Sequence, residues 1–200
     1  MAEQTPTYLA PYVTAAREHG AGFKSLLWTS PSSQAARFEA LTRAYDFHGK
    51  SILDAGCGRA DFLDYLLDRG IVPDHYVGLE AVDGLADAAE RKHHARCTIL
   101  RADFVREPIR LFAGADAVVF CGSLNTLDRE LFYTTLGRAI DAAADAVVFN
   151  FLSSPLLAHA QYLTWHTTKD VQRFVTSRNT RCGLVEGYIH GDATVIGRKL

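Results

Sequence analysis

The stretch SILDAGCGRADFLDYLLDRG (51–70) decides the fold of this chain. A short apolar run ends at Asp54, a Gly-x-Gly turn follows at Gly56 and Gly58, and an amphipathic helical pattern begins near Ala60. Glycines at such a turn permit positive φ and let the backbone approach a ligand closely. The free N–H groups at a helix start attract anionic or carboxylate groups. The segment therefore predicts a strand, a ligand-binding turn and a helix.

Four further apolar runs follow, and helix-length segments separate them. Each run is nearly continuous Ile, Leu, Val or Phe, which is typical of strands covered on both faces. The runs are HYVGLE (75–80), CTILRAD (97–103), DAVVFCG (116–122) and DAVVFNFL (145–152). Helices are predicted at about 60–69, 83–95 and 128–143, with Asp128 as the N-cap of the last. This alternation predicts an α/β fold with a parallel sheet and right-handed crossovers.

The end of the chain departs from this alternation. RCGLVEGYIH (181–190) and ATVIGRK (193–199) are strand-like runs joined only by Gly191 and Asp192. So short a link cannot make a parallel crossover, and the two strands are therefore predicted to pair antiparallel. The expected sheet is mostly parallel, with one reversed strand at or near an edge.

The first 49 residues precede the predicted sheet. Ser30 and Pro31 predict an N-cap and a first helical position, with the helix running to about Tyr45 and burying Phe38 and Leu41. A shorter helix is predicted from residue 11 to residue 18. In α/β folds ligands bind at the carboxyl ends of the strands, so we interpret this segment as a lid over that edge. One domain is expected, with residues 1–49 as the lid and 50–200 as the core.

The composition describes a globular protein without a strongly charged surface. Hydrophobic residues make up 48% of the 200-residue chain, which is enough for one folded core. The net charge is −2, and without a basic excess nucleic acid is disfavoured as a partner. The sequence holds no bilayer-spanning apolar stretch, and its first 13 residues lack the pattern of a secretory signal. Four scattered cysteines show no metal-ligand spacing, so we expect a reduced, cytoplasmic protein without a metal or a membrane partner.

The glycine turn fits one of two nucleotide-binding patterns better than the other. A dinucleotide fingerprint needs a third glycine where this chain has Asp61, whose carboxylate would repel a pyrophosphate. In contrast, Asp-x-Gly-Cys-Gly (54–58) closely resembles the first motif of class I S-adenosylmethionine-dependent methyltransferases. That resemblance implies a Rossmann-like sandwich, in which helices cover both faces of a seven-stranded, mostly parallel sheet with an antiparallel C-terminal hairpin. The family often has a third glycine at the position of Ala60, and we expect alanine there to make the pocket slightly tighter.

The resemblance also implies residues that bind S-adenosylmethionine. Glu80, at the end of the second strand, is expected to accept both ribose hydroxyls. After the third strand, Asp103 is expected to accept the adenine amino group, with Phe104 against the ring. The core residues implied are Asp54, Gly56, Cys57, Gly58, Glu80, Ala81, Asp103, Phe104 and Cys121.

The upstream segment WTSPSSQAARF (28–38) resembles a stretch that precedes the first motif in some small bacterial methyltransferases. This adds Trp28, Gln34 and Arg37 as candidate cofactor residues in the lid. Arg37 is suited to pair with the methionine carboxylate. Packing of the helix, with a solvated arginine, is the alternative interpretation.

Candidate acceptor contacts follow the fourth and fifth strands. They are Ser123, Asn125, Asn150 and His159. The Asn/Asp-Pro-Pro-aromatic loop of enzymes that methylate nucleic-acid amino groups is absent, so a small-molecule acceptor is predicted. Methyl transfer depends mainly on positioning, and no residue is assigned as the catalytic base. Two alternatives remain: a protein that binds S-adenosylmethionine without transferase activity and, less favoured, a nicotinamide-dependent oxidoreductase.

Overall fold

The computed structural model describes residues 4–200, and within them one seven-stranded sheet forms the centre of the fold. The strand order is β3-β2-β1-β4-β5-β7-β6. The first five strands pair in parallel, and β7 runs antiparallel to both of its neighbours, which confirms the predicted sheet. The strands are β1 (Ser51–Ala55), β2 (His75–Glu80), β3 (Cys97–Arg101), β4 (Ala117–Phe120), β5 (Ala146–Leu152), β6 (Thr180–Val185) and β7 (Asp192–Lys199).

Two of the helices begin at the side-chain caps that the sequence predicted. The Ser30 side chain accepts a hydrogen bond from the Ser33 N–H at 3.1 Å, and Asp128 accepts one from the Leu131 N–H at 2.9 Å. Each cap satisfies a donor that the first helical turn leaves free. The helices are α1 (Ala10–His19), α2 (Pro31–Ala44), α3 (Asp61–Leu67), α4 (Asp83–Glu90), α5 (Arg129–Ala142) and α6 (Thr168–Thr176).

Alternate residues of the central strands face two hydrophobic cores, one on each side of the sheet. In β1, Ile52 packs in the core that includes Phe38 of α2 and Phe62 of α3. Its neighbour Leu53 packs in the core that includes Leu136 of α5 and residues of α6. The same alternation continues through β4 and β5. Helices therefore cover both faces, as predicted.

Two predicted elements are shorter in the structure. The first strand of the C-terminal pair ends at Val185 and does not continue to residue 190, because Gly187 and Gly191 have φ of 84° and 86°. These left-handed conformations replace the predicted two-residue link with a six-residue loop. Helix α4 ends at Glu90 and does not reach residue 95, because the chain turns at His93, whose φ is 50°.

Ala60 has a different role from the one predicted. It precedes α3 in a left-handed conformation, with φ of 56° and ψ of 37°. An L-residue loses about 1–2 kcal/mol in this conformation, whereas glycine does not. The Ala60 side chain is fully buried in the core and does not line the cavity described below. The expected narrowing of the pocket is therefore wrong, and the cost of alanine falls on the backbone.

Helix α2 of the N-terminal segment packs against β5, β6 and β7. Phe38 and Leu41 are buried as expected, and so is Tyr45 just after the helix, whose hydroxyl donates to Asp145 at 2.9 Å. The assignment of residues 1–49 as a lid, of which residues 1–3 lie outside the described range, stays a prediction. No helix in residues 4–200 is both long and apolar enough to cross a membrane. The four cysteines are free thiols. A cytoplasmic location stays a prediction.

His166 is a neutral imidazole inside an aromatic cluster. It stacks on Phe132 with ring centroids 3.9 Å apart, lies 5.3 Å from the ring of Tyr133, and is 2% exposed. Neither ring nitrogen has a hydrogen-bond partner among the described residues. Burial, assisted by the Arg129 guanidinium, lowers the pKa of His166 to about 4.

This burial predicts a pH-dependent stability. Between about pH 6.5 and pH 4 the unfolded chain binds a proton at His166 that the folded chain does not, so stability falls as the pH falls. Because of this residue, we expect the free energy of unfolding to be about 2 kcal/mol lower at pH 5 than at pH 7.5. Urea unfolding of the parent and of His166→Phe at pH 7.5 and pH 5 measures it. Equal losses in the two proteins would contradict the assignment.

Candidate active site

A cavity of about 280 Å³ opens at the carboxyl ends of the parallel strands. It lies at the point where the strand order reverses between β1 and β4, so Gly56 after β1 and Gly122 after β4 both line it. Ligands bind in this crevice in open α/β sheets. The N-terminal segment contributes Tyr8, Tyr12 and Trp28 to the opposite wall.

The glycine turn fits tightly against its neighbours. Gly56 has φ of 81°, and a Cβ there would lie 2.5 Å from the Cβ of Ser123. Gly58 has φ of 57°, and a Cβ there would lie 2.9 Å from Cδ2 of Leu26. Larger residues would clash at both positions, which explains the two glycines.

Glu80 holds the turn in place. Its Oε2 accepts the N–H of Gly58 at 2.8 Å, and its Oε1 accepts the N–H of Val82 at 2.7 Å. Burial raises the pKa of Glu80, and the backbone hydrogen bonds oppose that rise. A carboxylate has about four acceptor sites, so two remain for hydroxyl donors in the cavity.

Asp54 carries an unsatisfied buried oxygen at the cavity. Its Oδ2 accepts the hydroxyl of Tyr76, whereas its Oδ1 has no hydrogen-bond partner among the described residues. Burial raises the pKa of Asp54 to about 7, and the nearby charge of Glu80 adds to the rise. Buried polar atoms are normally paired, so an orphan beside a cavity indicates a missing donor.

Asp103 is already bonded to the N-terminal segment. Its Oδ1 accepts the N–H of Val105 at 2.9 Å, and its Oδ2 accepts the Tyr8 hydroxyl at 2.7 Å. Burial, together with this hydrogen bond, raises the pKa of Tyr8. Phe104 lines the cavity beside it. The carboxylate expected to accept an adenine amino group therefore already accepts a hydrogen bond from a tyrosine.

Arg37 pairs with an acidic residue at the far end of the chain. Its Nη2 and Nε lie 2.6 Å and 2.8 Å from Oδ2 of Asp192, the first residue of β7. Its Nη1 donates to the Ser33 carbonyl at 3.3 Å, and its guanidinium lies 4.9 Å from the ring centroid of Trp28. Arg37 lines the cavity, and pairing with a ligand carboxylate stays a prediction.

The structure brings three of the four predicted acceptor contacts to the cavity. Ser123, Asn125 and His159 line it, and His159 lies exposed at the mouth. Asn150 does not line it: its Oδ1 accepts the Gly122 N–H at 2.8 Å and its Nδ2 lies 3.4 Å from Sγ of Cys121. Asn150 therefore holds the loop after β4 in place and does not contact the cavity itself.

The remaining predicted cofactor residues also reach the cavity. Gln34 lines it, and its amide donates to Oδ2 of Asp61 at 3.3 Å. The other lining residues of the prediction are Cys57, Ala81 and Cys121. No group of three His, Cys, Asp or Glu side chains in residues 4–200 is placed to hold a metal ion.

Sequence analysis missed several residues of the site. Asp192 was assigned to a turn, and Tyr76 only to a strand, although both hold buried charged groups of the cavity wall. No local pattern signals such pairing, because Arg37 and Asp192 are 155 positions apart. Lining residues that carry no such signal either include Leu9, Leu26, Leu27, Thr126, Leu152, Leu157, Tyr162 and Leu163.

The fold is shared with solved methyltransferases. Magnesium protoporphyrin IX methyltransferase (ChlM) from Synechocystis PCC 6803 with bound SAH matches with a TM-score of 0.73 at 11% identity, covering 98% of this chain and 100% of that one. The DhpI–SAH complex matches with a TM-score of 0.71 at 18% identity, covering 96% and 95%. Mitomycin 7-O-methyltransferase MmcR also gives 0.71 at 18%, covering 98% of this chain and 61% of its own.

These similarities show that the chain has the fold of class I S-adenosylmethionine-dependent methyltransferases, which confirms the predicted fold class. No family model matches the sequence, and neither does any curated protein. The fold assignment therefore rests on structural similarity at 11–18% sequence identity.

The contact between Trp28 and Gly122 predicts that the indole of Trp28 depends on the absence of a side chain at position 122. A Cβ at Gly122, whose φ is 76°, would lie 2.5 Å from Cη2 of Trp28. We expect Gly122→Ala to displace the indole and to cost about 1–3 kcal/mol beyond the backbone strain of about 1–2 kcal/mol. Urea unfolding gives the cost. Tryptophan emission gives the displacement when the exposed Trp165 is replaced by phenylalanine.

Gly114→Ala is the matched control for this clash. Gly114 has φ of 73°, and a Cβ there meets no atom within 4 Å. It should show the backbone cost alone, without a red shift of Trp28 emission. If the two variants lose the same stability and Trp28 emission changes in neither, the inferred contact between Trp28 and Gly122 is wrong.

Proposed function

We propose that this protein binds S-adenosylmethionine in the cavity and transfers its methyl group to a small-molecule acceptor. The observation that carries the proposal is the buried, unpartnered Oδ1 of Asp54 beside the turn of Gly56 and Gly58. A ligand ammonium group would satisfy this oxygen. The proposal is further supported by solved structures of the same fold that contain bound SAH or SAM.

The cavity residues match the parts of this ligand in strand order. Asp54 after β1 suits the ammonium group, and Glu80 after β2 has two acceptor sites left for the ribose hydroxyls. Asp103 and Phe104 after β3 suit the adenine ring. The Tyr8 hydroxyl occupies one acceptor site of Oδ2 of Asp103, which leaves a second site there for the adenine amino group.

When bound, S-adenosylmethionine supplies a methyl group whose carbon–sulfur bond breaks as a lone pair of the acceptor atom forms the new bond. The chain contributes position: the turn of Gly56 and Gly58 and the loop at Gly122 enclose the reacting groups. The Trp28 ring, which lies against Gly122, forms an apolar part of the wall on that side. Alignment of two reactants removes several kcal/mol of barrier without a catalytic base.

The first test of the proposal is binding. We expect calorimetric titration with S-adenosylhomocysteine to give a micromolar dissociation constant, and titration with NAD to give no binding. Glu80→Ala loses the acceptor for the ribose and the clamp on Gly58, so its affinity should fall about 10- to 100-fold. Glu90→Ala, on the exposed surface of α4, is the control and should match the parent. Unchanged affinity in folded Glu80→Ala would refute the ribose assignment.

The raised pKa of Asp54 predicts a pH dependence of binding. The pKa lies at about 7, so the carboxylate needed by an ammonium group must first lose a proton below that pH. Affinity for S-adenosylhomocysteine should therefore rise with pH between 5.5 and 7.5, by up to about tenfold per unit at the acid end. Asp54→Asn, which cannot titrate, should bind more weakly and lose this slope. A parent profile as flat as that of the variant would exclude Asp54 as the partner of the ammonium group.

A further inference from the structure

The cavity has an acidic half and a neutral half. The acidic half is formed by Asp54, Glu80 and Asp103, at the ends of β1 and β2 and just after β3. The proposed function assigns this half to S-adenosylmethionine. The neutral half is formed by lining residues from the N-terminal segment, the end of β5 and the segment that follows it: Leu9, Tyr12, Leu152, Leu157, Tyr162 and Leu163.

Apart from the imidazole of His159, which lies exposed at the mouth, the neutral half offers no side chain among the described residues that could pair with an anionic acceptor. Within residues 4–200, Arg37 is the arginine that lines the cavity, and no lysine does. The positive charge of Arg37 is compensated by Asp192, and the two side chains are 6% and 0% exposed. A carboxylate or phosphate on the acceptor would therefore be desolvated without a counter-charge.

A cationic acceptor is disfavoured for a different reason. The acceptor atom must approach the positively charged sulfonium of the proposed cofactor closely, and like charges at that distance repel strongly inside a cavity. A protonated amine also has no lone pair to give. Both signs of charge are thus unfavourable in the neutral half.

Asn125 provides one oriented polar group in this region. Its Oδ1 accepts the N–H of Leu152 at 3.3 Å, which fixes the amide, and the residue is 7% exposed. Its Nδ2 donates no hydrogen bond to any residue in the part of the chain that the structure describes. A neutral oxygen on a ligand would satisfy this donor.

We propose that the neutral half is the acceptor subsite and that it takes an uncharged molecule with a ring-sized apolar body and an oxygen that accepts from Asn125. The aliphatic and aromatic wall binds the body by burial of apolar surface. This inference rests on the proposed function, because the assignment of the acidic half to S-adenosylmethionine leaves the neutral half for the acceptor.

Three probes of one shape test the subsite: 2-naphthol is neutral, 2-naphthoate is anionic and 2-naphthylmethylammonium is cationic at pH 7. Each is titrated by calorimetry into protein saturated with sinefungin, an analogue of S-adenosylmethionine in which a charged amine takes the place of the sulfonium methyl. We expect 2-naphthol to bind at least tenfold more tightly than either charged probe. Equal or tighter binding of a charged probe, or no binding of 2-naphthol at millimolar concentration, overturns the inference.

Two adjacent leucines give a matched pair of variants. Leu157 lines the cavity, whereas Leu156 is 52% exposed and does not. Leu157→Lys places a cation in the subsite and should reverse the order of 2-naphthol and 2-naphthoate, while Leu156→Lys should preserve it. The same change in both variants would place the bound probe outside the subsite. Failure of S-adenosylhomocysteine to bind would overturn the proposed function itself, so the two failures are distinguishable.

Discussion

The carboxylate of Glu80 is the constraint on which the cavity depends. It accepts one hydrogen bond from the turn after β1 and one from the chain after β2, and so fixes two strand ends relative to each other. Hydrogen bonds to a charged group contribute more than neutral ones, and breaking them inside a protein leaves a buried charge. Leu26 of the N-terminal segment contacts Gly58, so the position of this segment also depends on the Glu80 carboxylate that holds Gly58.

This arrangement places acidic groups where water reaches them poorly, which is unfavourable for their charged forms. Burial raises the pKa of both Asp54 and Glu80, which means that the empty cavity disfavours their charged forms. A cationic, hydroxyl-bearing ligand removes that penalty by supplying the missing donors. Under the proposed function, part of the affinity for S-adenosylmethionine therefore comes from relief of a strain that the fold maintains.

Much of the fold could be predicted from sequence because its signals are local. The continuous apolar runs, the caps at Ser30 and Asp128, and the glycine turn act within a few residues, and the structure confirms the sheet they predict. The errors arose where left-handed residues interrupt a favourable pattern. At Gly187, the apolar run around the hairpin continued past the point where the backbone could remain extended.

The cavity residues after β1, β2 and β3 were predictable for the same local reason, since each follows its strand directly. On the opposite wall, Trp28, Gln34 and Arg37 were predicted as cofactor residues and do line the cavity, but their partners were not predictable, because those contacts join distant parts of the chain. Tyr8 and Asp103 are 95 positions apart, and Arg37 and Asp192 are 155 positions apart. Sequence periodicity indicates that such side chains are buried or polar, and it cannot say which partner they meet.

The hydrogen bond from Tyr8 to Asp103 links the N-terminal segment to the proposed cofactor site. The Tyr8 hydroxyl takes one acceptor site of Oδ2, and a carboxylate oxygen has about two, so one site on Oδ2 remains for an adenine amino group. Under the proposed function, the adenine would therefore bind Asp103 beside Tyr8, and neither this bond nor the pairing of Arg37 with Asp192 would have to break. The N-terminal segment is thus tied to the rest of the fold at Tyr8 and at Arg37, and Tyr8 shares its acceptor with the proposed ligand.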